Sequence, residues 1–188
     1  MFFVAKEQTR KIHPHKFTLW VAIASIIMMF AGLTSAYIVK KSQANWLTFD
    51  LPLALYYSTA VIIFSSITMW VAEKKFKARQ MLAYRSLITG TSLLGVLFVV
   101  LQAIGFFALY RQGITMTKNV SVSFLYVLVG LHALHVLGGV IALLVLFIRA
   151  FSSRIRTYNT VSIEVMSTYW HFVDLLWVYL LVFLIAVK

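Results

Sequence analysis

Five runs of apolar residues, at 17–39, 52–72, 86–110, 123–148 and 166–187, nearly exhaust this chain of 188 residues. Each is long enough to cross about 30 Å of hydrocarbon as a helix rising about 1.5 Å per residue. The links between them hold about 10 to 17 residues, too few for a soluble catalytic domain, so function must reside in the helices or at their ends. The residues are 62% hydrophobic and only 12% charged, outside the range of soluble globular proteins. The expectation is an all-α integral membrane protein, a bundle of five transmembrane helices forming one membrane domain over 1–188.

The net charge of +12 would suggest nucleic acid in a soluble protein, but here the positions carry the message. Lys6, Arg10, Lys11 and Lys16 precede the first run, Lys74, Lys75, Lys77, Arg79 and Arg85 fill the second link, and Arg149, Arg154 and Arg156 lie in the fourth. The other side has only Lys40, Lys41, Arg111, Lys118 and Lys188. By the positive-inside rule the N-terminus is cytoplasmic and the C-terminus outside. The excess is therefore a topology signal with some affinity for anionic lipid, and no nucleic-acid partner is expected. The opening "MFFVAKEQTRKIHPHK" carries charges where a signal peptide has its apolar core, so the N-terminus is expected to be retained. There are no cysteines, which excludes disulfides, thiolate metal sites, iron–sulfur clusters and covalent haem attachment.

Pro52 opens the second run, where its missing amide hydrogen costs a helix nothing. Trp20, Trp46 and Trp70 fall near the membrane interfaces, as aromatic belts do. Ser25, Gly32, Ser35 and Ala36 in the first run, and Ser58, Thr59, Ser65, Ser66 and Thr68 in the second, let helix backbones approach and hydrogen-bond. Gly138 and Gly139 follow His135 by three and four residues on the same helical side, so a close neighbour is expected there.

The last two runs also contain ionisable groups. "GLHALHVLGG" places His132 and His135 about 60° apart on a helix. Glu164, Ser167 or Thr168, His171 and Asp174 form a polar stripe about 15 Å long in the fifth segment. Such groups are costly in lipid and mark something selected. Three readings compete. The two histidines with Glu164 and His171 would make a metal site, although di-metal bundles use more carboxylates. The stripe would relay protons or pass a substrate, although the first three runs contain no acid. In the favoured reading the groups satisfy one another between helices, His132 or His135 pairing with Glu164 or with the stripe around His171, which fixes helix register.

These two segments resemble subunit III of the haem–copper respiratory oxidases, most of all the cytochrome c oxidase subunit III family in its five-helix bacterial form. "GLHALHVLGG" and "YWHFVDLLWVYLLVFL", with Glu164 just upstream, are similar to the family's helix pair containing H-G-L-H-V and E-x6-H-F-V-D. "HPHKFTLWVAIASIIMMFAGLTSAYIV" resembles the opening helix of that form, "SSITMWVA" its second, and Gly95 with Gln102 its third. Nearly the whole chain is covered. Two positions depart from the pattern: Ile26 follows Ser25 where the family commonly has a glutamate associated with proton uptake, and Gly105 stands three residues after Gln102 where it often has another.

The resemblance implies a non-redox subunit in the bacterial cytoplasmic membrane, packed directly against catalytic subunit I. It would stabilise that subunit, sustain its proton uptake during oxygen reduction, and help hold phospholipid. Haem and copper would lie in partner subunits and none in this chain; other oxidase subunits and a larger respiratory supercomplex are further partners. His132, His135, Glu164, His171 and Asp174 are the expected interhelical polar core. Gly138, Gly139 and Gln102 are packing residues, and Trp20, Trp70, Trp170 and Trp177 are candidate lipid or interface contacts, Trp170 and Trp177 being packing or interface groups. The alternatives are a quinol oxidase or nitric-oxide-reductase-associated homologue, and a stand-alone transporter or metal-binding protein.

Overall fold

In lipid, backbone amides must be satisfied within the spanning segment, which leaves the helix as the structure open to each of these runs. A computed structural model describes residues 13–41, 52–113, 120–151 and 160–187. They form α1 (Pro14–Lys41), α2 (Leu53–Lys77), α3 (Met81–Arg111), α4 (Val120–Phe151) and α5 (Thr160–Ala186), with no strand among the described residues. All five are long and apolar enough to cross a membrane. The protein is therefore a multi-pass membrane protein. Trp46 lies outside the described residues, as do several of the basic residues that argue for sidedness.

Most helices run past the apolar runs because polar end residues continue the helical backbone. α3 starts at Met81 and carries Arg85 in its second turn; α5 starts at Thr160 and carries Glu164 there. The expected second link is consequently much shorter than the charge pattern suggests, with only residues 78–80 between α2 and α3. Arg79 takes a left-handed φ of 58°. Its amide donates to the Phe76 carbonyl and that of Gln80 to the Lys75 carbonyl, the paired bonds that close a helix C-terminus around one left-handed residue. Phe76 and Tyr84 then meet edge to face with centroids 4.9 Å apart, so α2 and α3 form a tight antiparallel hairpin.

α5 packs against α1, α2 and α4, while α3 closes the other side between α2 and α4. Trp170 and Trp177 are completely buried, as packing groups and not as lipid or interface contacts. The reason is space. A Cβ added at Gly95 on α3 or Gly139 on α4 would come within 3.0 Å of the Trp170 ring, so two glycines make the slot that takes this indole. Trp20 and Trp70 do lie outside, at 61% and 52% exposure, and Lys74 stands 3.3 Å over the Trp70 ring. Gly138 corrects a second expectation: it is exposed with nothing within 4 Å, so only Gly139 of that pair meets a close neighbour.

This difference predicts opposite outcomes for neighbouring substitutions. Gly139→Ala forces Trp170 to shift and should destabilise the bundle by about 1–3 kcal/mol, as overpacking does. Gly138→Ala should be neutral or stabilise by up to about 1 kcal/mol through helix propensity. Thermal unfolding of the two variants in the same detergent compares them directly, and equal midpoints would sink the account of the slot.

Candidate functional site

Seven-residue spacing on α2 builds the polar interior. Ser58 and Ser65, like Thr59 and Ser66, are two helical turns apart and recur on one side of the helix. Trp170 and Trp177 have the same spacing on α5. On these antiparallel helices the Trp170 indole N–H donates to Ser65 Oγ at 3.2 Å, and that of Trp177 to Thr59 Oγ1, six residues earlier on α2, at 2.9 Å. Gln102 Nε2 on α3 donates to Ser58 Oγ at 3.1 Å, and Thr68 bonds Thr91 through their hydroxyls at 2.9 Å. The α2 hydroxyls are visible in the sequence as generic packing groups. Which of them meet the tryptophans is set by the rotation of α2 against α5, which their spacing alone does not give.

The ionisable residues are divided among different surroundings. Glu164 accepts from Lys16 on α1 at 2.6 Å and from Lys77 on α2 at 2.9 Å, while Lys77 also meets Glu73 at 2.7 Å. Two acids and two lysines thus join α1, α2 and α5 at one end of the bundle. The lysine side chains are 42% and 45% exposed, so water screens these pairs and each contributes about 0–1 kcal/mol. Deeper in, His171 Nδ1 lies 2.6 Å from Ser66 Oγ. His135 is turned on its own helix, with Nδ1 2.7 Å from the Leu131 carbonyl, and the Tyr169 hydroxyl donates to the His135 carbonyl at 3.0 Å.

His132 is 1% exposed and neither ring nitrogen has a hydrogen-bond partner among the described residues. Its ring stacks on Trp177 at 5.1 Å, with Phe30 and Phe98 edge-on at 6.5 and 6.4 Å. Asp174, 5% exposed, likewise has two oxygens without a partner among these residues. The expected pairing of His132 or His135 with Glu164 or the stripe around His171 is thus not the arrangement found. On the stripe side His135 is level with Asp174 but its ring is turned onto the Leu131 carbonyl; for Glu164 the register explains it. Contacts of Gly139 with Trp170 and His132 with Trp177 place Glu164 level with about residue 145 of α4, roughly 15 Å beyond His135. Lysines at the helix ends reach that level and the histidines do not.

The two positions that depart from the resembled pattern are filled by packing. Ile26 is partly buried against the apolar core. A Cβ at Gly105 would stand 3.2 Å from Leu55 Cδ2, so a larger side chain there requires Leu55 to move. Among the described residues no group of three or more His, Asp or Glu could hold a metal ion. What the arrangement can do is hold helices in register, with residual hydrogen-bonding capacity at Asp174, His132, His171 and Gln102 Oε1.

The family model described as cytochrome c oxidase subunit III matches residues 12–187. A probable cytochrome c oxidase subunit 3 from Nocardia farcinica is 32% identical over 90% of this chain and 89% of its own length. A cytochrome c oxidase subunit 3 from Bacillus sp. strain PS3 is 30% identical over 86% of this chain and 80% of its own. A cytochrome bo(3) ubiquinol oxidase subunit 3 from Pseudomonas aeruginosa is 28% identical over 86% and 79%.

The surroundings of the two buried aromatic partners predict unequal costs. Trp177→Ala removes a buried ring and leaves Thr59 and His132 without it, and should destabilise by about 3–5 kcal/mol. His132→Leu removes nitrogens that have no partner among the described residues and keeps much of the volume, so it should cost less than about 1.5 kcal/mol. Detergent melting curves read both; a His132→Leu loss as large as that of Trp177→Ala would show that the imidazole makes an essential bond.

Proposed function

Because the chain belongs to the cytochrome c oxidase subunit III family, we propose that it is the non-redox subunit III of a bacterial haem–copper oxidase in the cytoplasmic membrane. The observation that carries this reading is the extent of the family match, 12–187, which takes in all five helices. Within the complex the chain packs against catalytic subunit I, stabilises it during turnover and helps hold phospholipid. Haem and copper belong to partner subunits. Support for proton uptake acts through contact with subunit I, because Ile26 and Gly105 occupy the positions where the resembled pattern has acids. His132, His135, Glu164, His171 and Asp174 serve the bundle that presents this contact surface. The N-terminus faces the cytoplasm, in keeping with Lys16, Lys74, Lys75, Lys77, Arg79, Arg85 and Arg149 at that end against Lys40, Lys41 and Arg111 at the other.

A second reading, subunit III of a quinol oxidase, draws on the relative from P. aeruginosa, which matches a similar share of the chain. The two differ in electron donor, which docks on other subunits. One preparation separates them. The tagged chain, purified in mild detergent, is expected to bring a haem-bearing subunit with a reduced-minus-oxidised haem spectrum, and oxidation of cytochrome c or of a quinol then identifies the donor. A colourless protein stable on its own would overturn both.

Two further outcomes follow from the proposed role. Glu164→Leu or His171→Leu should increase the fraction of this subunit lost when the complex is washed with detergent; full retention of both variants would remove these residues from the supporting role. The natural absence of cysteine makes sidedness testable. A thiol reagent that does not cross the membrane should label Gln112→Cys in intact cells and Lys75→Cys only after permeabilisation, and the reverse pattern would invert the topology.

A further inference from the structure

The hydrogen-bonding groups of α2 that meet α5 are matched one by one, Thr59 with Trp177, Ser65 with Trp170 and Ser66 with His171. Asp174 breaks this pattern. It is 5% exposed, and neither carboxyl oxygen has a hydrogen-bond partner among the described residues. It follows His171 by one helical turn, and the Ser66 hydroxyl on α2 is near enough to act on its carboxyl but lies outside hydrogen-bond geometry, being bonded to His171 instead. His171 in turn has Nδ1 on Ser66 while its Nε2 is without a partner. Acceptors and a ring nitrogen from two helices therefore converge on one stretch of the α2–α5 seam with hydrogen-bonding capacity left over. Buried carboxyl oxygens without a donor are costly, and more so at membrane depth.

We propose that an internal water molecule occupies this seam, donating to the Asp174 carboxyl and bridging it to the Ser66–His171 pair. The chemistry of the surroundings selects water over other occupants. A metal ion would need more anionic ligands, and the remaining described acids, Glu73 and Glu164, are engaged with Lys77 and Lys16 at the bundle end. A lipid headgroup is too large for a site flanked along α5 by the buried side chains of Trp170, Val173 and Trp177. Water is small and uncharged, supplies two donors, and is held in proteins by two to four polar partners, which the Asp174 oxygens with either Ser66 Oγ or His171 Nε2 provide. The water completes a polar joint between α2 and α5 that these side chains leave open.

The test uses the chain purified in mild detergent with whatever subunits it retains, so it does not depend on which oxidase it serves. A cryo-EM map that resolves ordered water elsewhere in the protein should show a peak about 2.6–3.1 Å from an Asp174 oxygen and within reach of Ser66 or His171. No peak there, a direct protein donor on the carboxyl, a headgroup, or a peak with the short multiple oxygen contacts of a cation would each overturn the proposal. A solution measurement gives an independent reading. Hydroxyl radicals generated by a brief X-ray pulse label side chains beside bound water, so Trp170 or Trp177 should be oxidised despite complete burial. Asp174→Leu should abolish that labelling in a variant that still co-purifies, whereas unlabelled tryptophans in the wild-type chain would refute the bound water.

Discussion

The bundle depends on the seating of one side chain, Trp170. Its ring lies in the slot left by Gly95 and Gly139, and its N–H is held by Ser65, so a single residue of α5 ties α2, α3 and α4 together. Lipid is as apolar as the side chains it would replace, and therefore gives helices little reason to associate; close packing and interhelical hydrogen bonds must supply it. A large ring against two glycine backbones supplies the first, and an indole bonded to a hydroxyl supplies the second. Trp177 repeats the arrangement two turns further along, with Thr59 as acceptor and His132 stacked on its face.

α1 joins this core by different means. Its Phe30 ring inserts against both His132 and His135, Thr34 shares a hydrogen bond with Tyr179, and Lys16 reaches Glu164. The charged contacts are at the end of the bundle where water reaches them, and the aromatic contacts are inside. This division follows from cost: an ion pair is tolerable where its members remain partly hydrated, whereas a ring contact loses nothing in hydrocarbon. The polar residues of the bundle thus have work in fixing the rotation and depth of each helix.

Family membership constrains biological role more tightly than the site geometry does, because what the geometry shows is how the helices are held to one another. Gly105 shows how the two lines meet. The position three residues after Gln102 is closed by Leu55, so what reads in the chain as a missing acid is in the fold a packed helix crossing.

The number, order and approximate extent of the helices are legible in the sequence, since hydrocarbon thickness and backbone satisfaction leave an apolar run of that length little choice. Trp20 and Trp70 lie on the outside of the bundle, where an apolar run with a single indole can place it without a partner helix. The partners of the polar residues are not legible, because they depend on register between helices distant in the chain. His132 and Glu164 look equally available to one another in a linear reading, yet the antiparallel fit of α4 on α5 sets them at different depths. Trp170 resembles an interface anchor until the glycines of two other helices make room for it, and Trp177 until Phe98 and His132 close around it. Local hydropathy thus determined what spans the membrane, and only tertiary structure decided which faces meet, because helix rotation and depth are set by side-chain packing across the whole bundle.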